Sequence, residues 1–328
     1  MSSGTSARVL SALSPGKLAI RPRMKCLPAS ARSNIIADPH ALDRAVPYIF
    51  PHGHLSTSRP PSPHNVRTVT GKNPPDHSSG HSDALAGALL GVALFGVYAL
   101  GAARTIYVGD SGELVAAVHT LGIPHPSGYP LYVLLGKLFT LIVPVGSIAF
   151  RMSLFSAAAA AAACGGLFVL ARRLGLGREA ALLASLLLAF APSFWSQANV
   201  QRAYALNALF VVAATGSAVH WLRVRTERSI ALAFFLCGLG SSNHTFMAIY
   251  AVALGVYMLG VDRAVIAAPA AFMRRGVVIG GSFLVGLLPY AYLPLRSRMN
   301  PRLDWGNPET LQGFSDVVLR EDFWERAW

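Results

Sequence analysis

The sequence predicts an all-α protein, a polytopic transmembrane helical bundle of about seven spans preceded by a disordered leader. Three observations carry that expectation. Of the 328 residues, 53% are hydrophobic and 13% charged, and the mean hydropathy is +0.46, which is more apolar material than a soluble core requires. The apolar residues come in nearly uncharged runs, several of about 20 residues, the length that crosses a bilayer core. The basic residues, 28 Lys and Arg against 15 Asp and Glu, stand in short clusters between those runs, where they orient helices. A net charge of +13 arranged this way argues against nucleic acid as a partner, because no basic face interleaved with aromatics is present.

Residues 1–83 are rich in Ser, Pro, Arg and His, contain Pro60-Pro61 and Pro74-Pro75, and lack apolar periodicity, so they are expected to form a disordered, low-complexity leader. Six of the ten histidines (His40, His52, His54, His64, His77, His81) are scattered there without ligand spacing, and no metal is expected. The first acidic residue is Asp38. An acid-poor start fits an organellar transit peptide, a plain leader or a start codon assigned too far upstream. The compartment stays open between a plasma or inner membrane and the endoplasmic reticulum. Cys26, Cys164 and Cys237 make neither a CxxC pair nor a disulfide framework.

The spans are expected at Ala84–Ala103, Met152–Ala171, Ala180–Trp195, Ala203–Leu222, the shorter pair Ser229–Ser242 and Thr245–Val261, and Gly276–Leu295. Pro130–Val145 is apolar but short, contains Lys137 and follows a proline, so it reads as an interfacial or re-entrant helix. With that segment left out, Arg172-Arg173, the Arg223–Arg228 cluster, Arg263 and Arg274-Arg275 all fall on the leader's side, as the positive-inside rule asks. The segments Asp110–Pro130, Trp195–Asn199, Ser242–Thr245 and Pro294–Pro308 then converge on the opposite, extracytoplasmic face.

Those segments hold the candidate site. Asp110 and Glu113 lie beside a hydrophobic span, and a carboxylate near hydrocarbon is costly enough to suggest function. Their i, i+3 spacing before Leu114, Val115 and Val118 also suits a capping box on an amphipathic helix. His125 and Tyr129 belong to a Pro-Gly loop that either binds sugar or phosphate or only turns the chain. His244 is a ligand-facing group or a turn residue. Arg296 and Arg298, at the outer end of the last span, suit a phosphate or lipid headgroups. The sequon Asn243-His-Thr245 sits too close to the membrane to be an acceptor.

The motifs Gly109-Asp-Ser-Gly-Glu-Leu114, Leu121-Gly-Ile-Pro-His-Pro-Ser-Gly-Tyr-Pro-Leu-Tyr132, Pro192-Ser-Phe-Trp-Ser-Gln197, Tyr204-Ala-Leu-Asn207, Gly240-Ser-Ser-Asn-His244, Leu288-Pro-Tyr-Ala-Tyr-Leu-Pro-Leu-Arg296 and Asn300-Pro-Arg-Leu-Asp-Trp-Gly306 resemble a widespread family of polytopic membrane proteins that includes an animal transmembrane protein O-mannosyltransferase. The resemblance runs over roughly residues 84–320. It implies a transmembrane domain over 84–328 of the glycosyltransferase-C superfold, acting on the extracytoplasmic face. The implied reaction moves a sugar, mannose in one branch of the family, from a polyprenyl-phosphate donor to a protein or glycan hydroxyl, with membrane lipid as surroundings and no cofactor.

In such a transfer an acidic residue of the first outer loop serves catalysis, and Asp110 holds that place. It would take the acceptor's proton, with Glu113 capping or supporting it, and Arg296 and Arg298 would steady the departing phosphate. Two positions depart from the family pattern. Gln201-Arg202 stands where relatives usually carry an acidic residue, and the chain ends at Trp328 where relatives commonly continue, so a C-terminal truncation is expected. A non-catalytic scaffold or inactive paralogue, and a lipid or solute transporter using Lys137, Asn207 and His220, remain as alternatives.

Overall fold

The computed structural model describes residues 77–324. The expectation of disorder lies, for residues 1–76, outside the described residues. From His77 onward the structure differs from the leader reading, because α1 (His77–Gly101) begins ahead of Ala84. Asp83 anchors this early turn: it accepts from Arg172 Nε at 2.9 Å and Arg178 Nε at 3.3 Å.

Regular structure among the described residues is helical. After α1 come α2 (Ser111–Thr120), α3 (Pro130–Ile142), α4 (Ile148–Arg173), α5 (Arg178–Phe190), α6 (Pro192–Ala198) and α7 (Tyr204–Val224). Then follow α8 (Glu227–Asn243), α9 (Phe246–Val261), α10 (Arg263–Ala267), α11 (Pro269–Gly286), a 3-10 turn at Leu288–Ala291, α12 (Tyr292–Ser297), α13 (Leu311–Leu319) and α14 (Glu321–Trp324).

By length and composition α1, α4 and α7 can each cross a membrane, and two bent pairs raise the number of candidate spans from 3 to 5. The chain is an integral, multi-pass membrane protein. The expected span Ala180–Trp195 is instead α5 and α6, bent by 68°. Pro192 has no N–H to continue the helix, and Ala191 before it is extended at φ −59°, ψ 127°, as a residue preceding proline prefers. The expected Gly276–Leu295 span is α11, starting earlier at Pro269, followed after a 42° bend by the Leu288–Ser297 segment. The short pair became α8, with 17 residues, and α9, with 16. At 1.5 Å per residue each is about 25 Å long, less than a ~30 Å hydrocarbon core. The α3 segment, with 13 residues, is shorter still.

Small residues let the helices approach closely. A Cβ on Gly165 of α4 would overlap the Gly87 carbonyl of α1, and one on Gly238 of α8 would overlap the Phe283 carbonyl of α11. Such contacts are how helices pack where lipid offers no hydrophobic drive. The main buried cluster joins α1 to α4 and α7 through Leu94, Tyr98, Met152, Phe155 and Leu206. Away from the basic clusters the loops are tied together: Ile123 N donates to the Leu303 carbonyl at 2.7 Å and Trp305 N to the Ile123 carbonyl at 3.1 Å. This parallel bridge brings the chain after α12 against the loop between α2 and α3.

Candidate active site

Gly109 opens the site. Its φ of +75° suits glycine, and a Cβ there would run into the Arg202 guanidinium. The next residue, Asp110, sits at φ −65°, ψ −7° and its side chain caps nothing. An N-cap needs extended backbone for its oxygen to fold over the first amides, so the capping reading of Asp110 fails. Its carboxylate turns to Arg202 instead, with Nη1 donating to Oδ2 at 2.6 Å, while Nη2 donates to the Val108 carbonyl at 2.8 Å. The reversed charge noted in Gln201-Arg202 is therefore the partner of Asp110.

Glu113 does not close a capping box either. Its Oε1 accepts from His125 N at 2.7 Å, and its Oε2 lies 2.7 Å from His125 Nδ1. The carboxyl group's burial opposes its charge, but the hydrogen bonds and proximity of His125 outweigh this and hold it below its usual value. An ionised carboxylate only accepts, so Nδ1 of His125 donates to it, and in the neutral tautomer that this fixes Nε2 accepts from the Tyr129 hydroxyl, 3.1 Å away. The left-handed pair Gly128 (φ +79°) and Tyr129 (φ +44°) turns that hydroxyl back toward His125. Burial pushes the Tyr129 hydroxyl up to about 12, so it stays protonated as this arrangement requires.

His244 ends α8 in an extended conformation, and its Nδ1 accepts from Phe246 N at 3.3 Å. That assignment leaves Nε2–H as its donor. Tyr204, Tyr129 and Phe246 ring the imidazole at centroid distances of 5.2, 5.9 and 4.7 Å. Burial, then the charge of Arg320, lower its proton affinity to a pKa of about 4.

Asp110, Glu113, His125, Tyr129 and His244 share one polar cavity of about 400 Å³ with Tyr204, Phe246, Trp305 and Arg320. It lies where α7 and α9 begin and α8 ends. Arg296 and Arg298, expected to steady the departing phosphate, are not among its walls. Arg296 Nε and Nη2 donate to the Leu121 and Thr120 carbonyls at 2.7 and 3.0 Å, satisfying the C-terminal end of α2 as cations near a helix C-terminus do. Arg298 is exposed at the end of α12. The cation lining the cavity is Arg320, in left-handed conformation after α13 (φ +63°).

Tyr204 and Trp305 belong to motifs already visible in the sequence, whereas Arg320 lies in an ordinary charged stretch beside Glu321 and Asp322 and carries no local signal. Of the three residues considered for a transport path, His220 lies in a groove at the other end of α7, and Lys137 is spent on the His119 carbonyl at 2.7 Å. Among the described residues no three His, Cys, Asp or Glu side chains are grouped to hold a metal ion.

Residues 110–264 match the family described as the Protein O-mannosyl-transferase TMEM260 N-terminal domain. The matched stretch begins at Asp110 and includes every cavity residue except Trp305 and Arg320. The Protein O-mannosyl-transferase TMEM260 of Mus musculus is 33% identical over 247 residues, which is 72% of this chain and 35% of that protein. The Protein O-mannosyl-transferase tmem260 of Dictyostelium discoideum is 25% identical over 245 residues, 69% of this chain and 29% of that protein. The chain thus spans about a third of the length of the curated relatives it matches. No solved structure matches it. Over residues 110–264 the chain is thus similar to the N-terminal domain of the TMEM260 protein O-mannosyl-transferase family.

Proposed function

We propose that the polar cavity transfers a sugar, mannose as the relatives' names suggest, from a polyprenyl-phosphate donor to a hydroxyl of a protein acceptor at the extracytoplasmic face, within a glycosyltransferase-C-like domain spanning residues 84–328. The observation that carries this reading is the convergence of Asp110, Glu113, His125, Tyr129 and His244 with Arg320 on one cavity. Nucleotide sugars are generally absent outside the cytoplasm, so a lipid carrier is the donor that suits a cavity at a membrane face.

In the transfer the acceptor oxygen forms a bond to the sugar's anomeric carbon as the bond from that carbon to the phosphate oxygen breaks. The electron pair leaves with the phosphate and the acceptor's proton passes to Asp110. Arg202 holds Oδ2 of Asp110, which fixes the carboxylate and leaves Oδ1 for the acceptor hydroxyl. Arg320 stands in the cavity as a preorganised cation for the departing phosphate, the kind of interaction that lowers a barrier most when water is excluded. Tyr204 and Trp305 offer faces for a sugar ring, and the Glu113–His125–Tyr129 chain supplies an oriented hydroxyl to its edge.

One contact favours a second reading. An ion pair as close as Asp110–Arg202 also suits an inactive paralogue, in which the carboxylate only braces the loop. An in vitro assay separates the two: purified protein, a panel of polyprenyl-phosphate sugars and membrane extract as acceptor source. Transfer that disappears on Asp110→Asn supports the enzymatic reading. A folded protein that transfers from none of the donors sinks it and leaves the scaffold.

A further inference from the structure

At the opposite end of α7 and α8 from the polar cavity, α4, α7 and α8 enclose a groove of about 690 Å³. On α7 the groove runs from Val212, 8 positions beyond the cavity's Tyr204, to His220, 16 positions beyond it, or about 12 to 24 Å along the helix at 1.5 Å per residue. The basic end of the groove therefore lies most of a ~30 Å hydrocarbon core away from the cavity, and the two share no lining residue.

Its wall is apolar, built from Val169 of α4, Val212 of α7 and Leu232 of α8, and Gly216 keeps it open: a Cβ there would meet nothing within 4 Å. Its mouth is basic, with Arg173 at the last turn of α4 and Arg228 at the first turn of α8. Arg223 adds a third guanidinium by donating to the Arg173 carbonyl. The charges at this end are unbalanced. Asp83 is taken by Arg172 and Arg178, Glu227 by Arg274, and Asp262 by Arg225 and Arg275. Arg173 and Arg228 enter no ion pair among the described residues.

We propose that this groove binds an anionic phospholipid, with the headgroup between Arg173 and Arg228 and an acyl chain along Val169, Val212 and Leu232. Guanidinium groups match phosphate oxygens in pairs, and basic pockets between membrane helices at the cytoplasmic side are suited to anionic headgroups. A zwitterionic lipid fits less well, since its headgroup has no net negative charge to offset the two arginines. Free phosphate would leave the apolar wall uncovered. The site is independent of the transfer reaction and stands whether or not the cavity is catalytic.

The test is lipid retention. Purified full chain, extracted from bilayers of mixed phosphatidylserine and phosphatidylcholine, is examined by native mass spectrometry for bound lipid, with circular dichroism and gel filtration checking the fold. The parent protein is expected to retain phosphatidylserine selectively. At ~1 kcal/mol per arginine near a membrane surface, R173A/R228A loses ~2 kcal/mol, or about 30-fold in affinity. Gly216→Leu fills the groove without altering charge and should lower occupancy independently. Arg302→Ala, which removes a charge after α12, should change nothing. Equal retention of both lipids by the parent, undiminished phosphatidylserine in R173A/R228A or in Gly216→Leu, or displacement of the lipid by inorganic phosphate alone would each overturn the proposal.

Discussion

Replacing Asp110 with Asn separates the two roles open to this carboxylate. The side chain caps no helix, so the roughly 1 kcal/mol that a lost N-cap typically costs does not apply. What remains is the contact with Arg202. The aspartate side chain is 47% exposed and the arginine 18%, so water screens the pair and its worth is at most about 1 kcal/mol. An asparagine oxygen can still accept from Nη1, and Arg202 keeps its bond to the Val108 carbonyl. The variant should therefore fold, losing less than about 1 kcal/mol in chemical denaturation in detergent. Transfer from a polyprenyl-phosphate sugar should fall by about 10² to 10⁴-fold, the contribution of a lost general base. At 1.36 kcal/mol per decade this raises the barrier by about 3 to 5 kcal/mol, well above the stability change. Arg202→Gln breaks the same pair and should cost similar stability but less transfer, because it leaves the proton acceptor in place. Transfer by the Asp110→Asn protein within a few-fold of the parent, or a stability loss above about 2 kcal/mol, would refute the reasoning.

Glu113→Gln puts an amide opposite His125 Nδ1. The imidazole should switch its proton to Nε2 and lose its acceptor for the Tyr129 hydroxyl, a tautomer change visible by NMR of labelled histidine and accompanied by slower transfer. Because the Glu113 carboxyl is held below its unfolded value of 4.5, its charged form stabilises the fold above that pH, and this stability is lost as pH falls through the folded value; the Gln variant should lack that acid-side loss. His244 has the same sign from a different cause. Its folded value of about 4 lies below the ordinary 6.5, so the unfolded chain takes up the proton first and stability drops as pH falls from 6.5 toward 4. The drop should reach about 3 kcal/mol, and His244→Gln should flatten the denaturation profile over that window. Arg320→Ala should reduce transfer by about 10²-fold or more if it serves the departing phosphate. Arg296→Ala should instead lower stability by roughly 2 kcal/mol through the carbonyls it abandons, and equal effects of the two on both readouts would contradict the placement of the cations.

The membrane class, the helical architecture and the segments forming the site were legible in the sequence because each is a local property. Hydrophobic length is read along the chain, and the Pro-Gly loop that carries His125 and Tyr129 marks its own turn, whereas the bend before Pro192 fell inside the expected span Ala180–Trp195. His125 and Tyr129 could be paired with Asp110 and Glu113 because unusual residue types cluster in the first loop. Partner choice was not legible. The i, i+3 spacing of Asp110 and Glu113 is that of a capping box, yet both carboxylates found partners elsewhere: Arg202 for Asp110 and His125 for Glu113. Spacing states which amides lie near, while the fold decides whether a stronger donor lies nearer. The cations show the same limit. Arg296 sits in a motif but caps α2, and Arg320, in no motif, reaches the cavity where the bridge of Ile123 to Asp304 ties the segment after α12 to the loop between α2 and α3. Composition determined that this chain lives in a membrane as helices, since burial of apolar length depends on residue type alone; only the tertiary structure decided which charges meet, since that depends on distances between residues the sequence keeps far apart.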